Sequence, residues 1–179
     1  MNKQGINATR MQGQGGFTLI ELIVVIVILG ILAATALPRF IDMGADARAA
    51  SANAARGSLQ STVAMIHGRA LAAGAVPANI NAEDIVVPML VVGNETLSYP
   101  APTIALLNAA GLNANDYQQI GPSTGATDST PATLPNQVAV IPRSLLGNPR
   151  GLTCAIFYNA PAAANNPPTF GVPVIAANC

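Results

Sequence analysis

Charge and aromatic rings are scarce in this 179-residue chain: 9% of residues are charged and 4% aromatic, with no Trp. Soluble domains carry about 25% charged residues. Lys occurs once, at Lys3, and the eight basic residues are scattered and balanced by eight acidic ones. Nucleic-acid recognition needs Lys and Arg clustered on one face, so nucleic acid is excluded as a primary ligand. His67 is the sole histidine, among Ala and Gly on a helical stretch, where a packed or solvated side chain is the ordinary outcome. No Cys-x-x-Cys occurs, and Asp116 and Asp128 lie too far apart in sequence to suggest a calcium loop. "GPSTG" at residues 121–125 lacks the Lys, strand and helix of a phosphate loop. No nucleophile has a base beside it. The sequence therefore offers no catalytic residue, metal site or cofactor.

What the chain has in quantity is aliphatic surface: 51% of residues are hydrophobic, mostly Ala, Val, Ile and Leu. Residues 17–37 are apolar apart from Thr18, Glu21 and Thr35. About 20 such residues suffice for a helix to cross a bilayer. The β-branched run "IVVIVI" would suit a strand in water, but in lipid backbone groups must be satisfied within the segment, which selects helix. One carboxylate, Glu21, sits near the start of this run. A charge near the bilayer centre costs roughly 2.5–3.5 kcal/mol on insertion scales, which makes Glu21 a candidate functional residue. Gly30 weakens the helix, and Pro38, lacking a donor, is expected to kink or locally open it, the two together marking the helix's weak point.

Beyond Pro38, "RFIDMGADARAASANAARGSLQSTVAMIHGRALAAG" keeps a helical period, and Leu59, Val63, Ile66 and Ala70 form one apolar stripe. Gly74 is the stop, with Pro77 shortly after. A single helix from Phe17 to about Ala73 would be on the order of 85 Å long. Its first half is apolar all round (17–37) and its second amphipathic (38–74). Residues 75–136 read as a connecting region rich in Pro, Asn, Gly and Thr. It holds a strand at Ile85–Val92, a short helix near 103–110 stopped by Gly111, and a loop at 121–136. Strands at 137–141, 152–158 and 169–175, separated by Gly147-Asn148-Pro149 and the turn residues of 165–168, can form an antiparallel sheet over the helix stripe, within a final segment 137–179. The fold class is α+β. Cys154 and the last residue, Cys179, suit a disulfide in an oxidising compartment, or else two buried thiols.

Residues 1–16 are polar and Gly-rich and hold Lys3 and Arg10, which by the positive-inside rule stay cytoplasmic. The same layout, with Ala34-Thr35-Ala36 as a small-residue site, also fits a secretory signal peptide whose removal would leave a chain starting at Leu37. Glu21 inside the apolar run and the helical pattern past Pro38 argue against that.

The stretch "GFTLIELIVVIVILGILAATALPRF", residues 16–40, resembles the N-terminus of type IV pilins. The resemblance implies a leader (1–16) cut by a prepilin peptidase between Gly16 and Phe17, N-methylation of Phe17, and the family's acid at Glu21. Its helix-weakening Gly and Pro fall on Gly30 and Pro38. A shorter leader is usual in the family, and a start at Met11 would leave six residues, without Lys3 and Arg10. The Ala-rich continuation is similar to pilins of the mannose-sensitive haemagglutinin type.

In such a protein the new Phe17 amine, with a reference pKa of about 7.7–8.0, is cationic. Glu21 would pair with that amine of its own or a neighbouring subunit, which fixes axial register at low dielectric. The resemblance further implies a C-terminal loop closed by Cys154 and Cys179, with residues 155–178 on the surface. The partners would be further copies of the chain, the inner membrane, the prepilin peptidase and the pilus assembly machinery. The product is an extracellular filament for adhesion, aggregation or motility. Three Tyr and four Phe leave few rings for an electron-conducting fibre. A pseudopilin of a type II secretion system shares this architecture, and an anchored or secreted binding domain that never polymerises is the reading from another class.

Overall fold

The computed structural model describes residues 16–73, 79–82, 85–163 and 166–179, and for residues 37–42 the backbone alone. Lys3, Arg10, Gly74 and Pro77, given roles above, lie outside the described residues. The chain forms two compact units, the second running from Ile41 to Cys179.

Helix α1 (Leu19–Ala72) begins in the first unit and continues into the second. As expected of one long helix, α1 runs through both Gly30 and Pro38 without ending. A proline removes one intrahelical bond, and a helix of 54 residues retains its ladder on either side. In the second unit α1 buries Ala49, Ala52, Ala55, Leu59, Val63, Ile66 and Ala70, at steps of three and four. The stripe read from the sequence thus extends three alanines further toward the N-terminus.

Two antiparallel sheets belong to this unit. The first has the order β1 (Asn79–Ala82), β2 (Ile85–Val92), β3 (Glu95–Pro100). Gly93, at φ +63°, supplies the left-handed turn of the two-residue β2–β3 hairpin. Register shifts between Met89 and Val91, beside Pro88, which has no N–H for the ladder. Helix side chains take main-chain oxygens of both edge strands: Arg69 donates to Asn81 O (2.6 Å), and His67 Nδ1 lies 2.9 Å from Ser98 O. A carbonyl only accepts, so His67 carries its proton on Nδ1. Its ring also stacks on Tyr99, with centroids 4.1 Å apart.

Helix α2 (Ile104–Ala109) is capped by the Thr103 side chain and stopped by Gly111 at φ +74°. The second sheet has the order β4 (Tyr117–Ile120), β5 (Gln137–Pro142), β6 (Ile156–Asn159), β7 (Thr169–Phe170). The core joins the α1 stripe to Val87 and Met89 of β2, Leu106 and Leu107 of α2, and Val138, Val140, Ile156 and Tyr158 of the second sheet. The opposite face of that sheet buries Ile120, Ala139, Ile141 and Ala155, so β5 is covered on both sides. Loop 121–136 comes close here. A Cβ at Gly151 would run into the Ser129 main-chain oxygen, so no larger residue fits there without displacing the loop.

Three expectations need correction. The region 75–136 is more than a connection, since it supplies the whole first sheet and, through β4, one strand of the second. Residues 152–158 form a strand only from Ile156. Pro149 and the Asn148 side chain, which accepts from Arg150 N at 3.0 Å, turn Pro149–Leu152 into a 3-10 helix. In the stretch 169–175 only Thr169 and Phe170 pair. Pro173 has no donor, and both main-chain groups of Val174 bond the Asn53 side chain instead of a neighbouring strand.

Candidate functional site

The N-terminal candidate begins with three non-helical, exposed residues, Gly16, Phe17 and Thr18, just ahead of α1. Phe17 is 94% exposed. Thr18 and Glu21 form a capping box. The Thr18 N–H and its hydroxyl each donate to Glu21 Oε2 at 2.8 Å, and the Thr18 hydroxyl oxygen accepts from Glu21 N at 3.3 Å. Helix starts leave backbone N–H groups unpaired, and this reciprocal pair satisfies two of them. Both carboxylate bonds fall on Oε2, so the cap leaves Oε1 unused.

Glu21 therefore has a local task in the single chain, four residues after Phe17. The sequence reading missed this cap, although Thr18-x-x-Glu21 is its signature. From Leu19 to Ala36 the helix is long and apolar enough to cross a membrane, with none of the segment buried. Leu19, Ile20, Leu22 and Ile31 are each more than 60% exposed.

The C-terminal candidate is the segment closed by the Cys154–Cys179 disulfide, whose Cα atoms are 4.9 Å apart. It is not a surface patch throughout, because Ala155, Ile156, Tyr158 and Ala160 are core. Its later part carries the exposed side chains, Val172 at 80% and Ile175 at 61%. That part is held to α1 by a polar rail. Arg48 donates to Cys179 O at 2.8 Å, Asn53 bonds both main-chain groups of Val174, and Arg56 donates to Gly171 O at 2.6 Å. The helix residues rise as the strap residues fall, so the strap runs antiparallel to α1. Thr153 closes the end of the strap through Asn178 O at 2.6 Å. No sequence signal marked Arg48, Asn53 or Arg56 for this.

Within β6, the Tyr158 hydroxyl is buried and donates to Pro100 O at 2.7 Å, tying the second sheet to the first. Burial pushes its titration well above the ordinary tyrosine value. Among the described residues no group of His, Cys, Asp or Glu is placed to hold a metal. Asp116 and Asp128 are both exposed.

Comparison with known proteins places these features in context. Residues 11–37 match the family model described as the prokaryotic N-terminal methylation motif. The chain is 34% identical over 121 residues to the fimbrial protein EcpB of Eikenella corrodens, covering 64% of this chain and 71% of that protein. It is 50% identical over 50 residues to the type IV narrow pilus major component PilA5 of Thermus thermophilus, covering 28% of this chain and 43% of that one. The chain thus spans less than half the length of the second relative and over two thirds of the first. Neither description bears on the mannose-sensitive haemagglutinin type. No solved structure matches the chain at comparable stringency.

Proposed function

The chain belongs to the type IV pilins, a family of structural filament subunits, and from that premise we propose how its residues serve assembly. The precursor sits in the inner membrane through Leu19–Ala36. A prepilin peptidase cuts between Gly16 and Phe17, in the exposed non-helical stretch before the cap. The released Phe17 amine is methylated and stays cationic. Packing of many copies then replaces lipid around the apolar half of α1 with neighbouring helices, in a contact that repeats without closing. The filament serves adhesion, aggregation or motility outside the cell.

The observation that carries this reading is the wholly unburied apolar segment with one acid four residues after Phe17. A membrane anchor alone gains nothing from Glu21. The Phe17 amine gives that carboxylate an opposite charge, and a neighbouring subunit's amine can take its place. Attraction between two such charges is strong where water is excluded, and an unpaired carboxylate there is unfavourable. Capping by Thr18 keeps Glu21 hydrogen-bonded before the partner arrives.

The test is the intact mass and N-terminal peptide of protein sheared from cells, together with electron microscopy of the same material. Long fibres built of chains that begin at methylated Phe17 are expected. A soluble chain beginning at Leu37 would mean that a signal peptide was removed, and Glu21 with it.

A further inference from the structure

In the second unit, the face of α1 turned away from the core is unlike an ordinary solvated helix face. Between residues 50 and 68 its exposed residues are Ala50, Ala54, Gly57, Ser61, Ala64 and Gly68, with Met65 beside them. The steps are four, three, four, three and four, so these residues form one seam opposite the buried stripe. A helix face meant for water carries charged side chains. This one carries none over about five turns.

Two of the seam residues are glycines, the least favourable helix formers after proline. Nothing lies within 4 Å of where a Cβ would stand at Gly57 or Gly68, so nothing inside the subunit requires a bare backbone there. The requirement comes from outside the subunit.

A cleft beside the seam points the same way. It has an open volume of about 480 Å³ and lies between α1, at Ser58, Ser61, Thr62 and Met65, and the end of α2, at Ala110 and Gly111. Ser58 donates to Ala110 O, and Ser61 donates to Ser58 O at 2.8 Å. Thr62 is 8% exposed, and its hydroxyl has no hydrogen-bond partner among the described residues. That hydroxyl is not sealed from solvent, so a group that bonds it enters through the cleft.

We propose that α1 of a neighbouring subunit lies along this seam, backbone close to backbone. Two features select a second copy as the occupant. The seam belongs to the same helix whose apolar half is covered by neighbouring copies in the filament reading above, on which this proposal rests. It is also small and uncharged, so a like face meets it without repulsion, while a charged partner would find nothing to read. Gly, Ala and Ser on facing helices let the axes approach to about 8 Å. Where glycine leaves the incoming backbone bare, a helix carbonyl keeps a second lone pair that can accept from Thr62.

Cryo-electron microscopy of filaments sheared from cells reads the occupant directly. A neighbouring α1 is expected along residues 50–68, with its axis about 8–10 Å away. Filaments whose seam faces solvent, or a neighbour's sheet, overturn this contact and leave the pilin reading intact. Absence of filaments in the unmodified strain overturns the pilin reading itself.

A steric change tests the close approach independently. Gly57→Leu adds a side chain in space that is open in the single subunit, and it replaces a poor helix former with a good one. The unfolding midpoint of the second unit in detergent should hold or rise. Filament yield should fall by roughly tenfold or more, the cost of overpacking a close contact. Normal yield overturns the contact. If that variant unfolds early, Gly68→Leu is read on the same two measures, and normal yield there overturns the contact equally.

Discussion

From Leu19 to Ala36, α1 leaves all its side chains unburied, whereas from Ala49 to Ala70 it buries one residue every three or four positions. Both halves are helical, the first rich in Val, Ile and Leu and the second in Ala with polar residues between, and only the second buries side chains within its own unit. The second half owes its stability to packing of an amphipathic face, as most helices in water do. The first half closes its own hydrogen bonds and has a capped start, so it needs only an apolar medium, lipid or protein. One continuous helix thus joins a half that has finished folding to a half whose burial is deferred to assembly.

The largest effect that separates the halves is expected at Glu21. Glu21→Gln should abolish filaments while leaving the chain in the membrane fraction and the unfolding of the second unit unchanged within about 0.5 kcal/mol. Normal piliation in that variant would remove the acid from the assembly mechanism.

Next come matched truncations. Leu59→Ala should destabilise the second unit by about 2–5 kcal/mol, since Leu59 is fully buried. Leu29→Ala in the first half should change that same transition by less than about 0.5 kcal/mol. Denaturant unfolding in detergent reads both, and equal effects would erase the distinction. Removing both cysteines, as Cys154→Ser with Cys179→Ser, should lower stability by about 2–5 kcal/mol in the second unit alone.

Tyr158→Phe should cost about 1–3 kcal/mol, because Pro100 O then lacks its buried donor. Its pH dependence has a definite sign. The hydroxyl titrates higher in the folded chain than its unfolded value of about 10, so the stability it lends is complete below that pH and is lost as pH rises above it. The alkaline fall should be reduced in the Phe variant. Smallest is Thr18→Ala, worth about 1 kcal/mol at the helix start, visible as faster amide exchange in the first turn and not in the second unit.

Sequence alone was sufficient where one local pattern has one physical reading. The apolar run, the stripe at Leu59, Val63, Ile66 and Ala70, strand β2, and the Gly111 stop all belong to that class. Alanine hid the earlier part of the stripe, because Ala49, Ala52 and Ala55 are as common on exposed helix faces as in cores. Strands β3 and β4 were obscured because "ETLSYP" and "YQQI" are too polar to show alternation. The stretch 169–175 reads as a strand, since nothing local shows that Asn53, more than a hundred residues earlier, takes the main-chain bonds of Val174. At the candidate site, Phe17 and Glu21 were legible as a motif, and the Thr18 cap was legible but unread.

The capped edges of the first sheet have a consequence for storage. Asn81 O and Ser98 O are occupied by Arg69 and His67, on strands that would otherwise offer unpaired main-chain groups to any passing chain. With one main-chain oxygen on each edge strand already engaged by α1, an incoming strand finds fewer acceptors there, which favours storage of copies side by side over sheet-to-sheet addition.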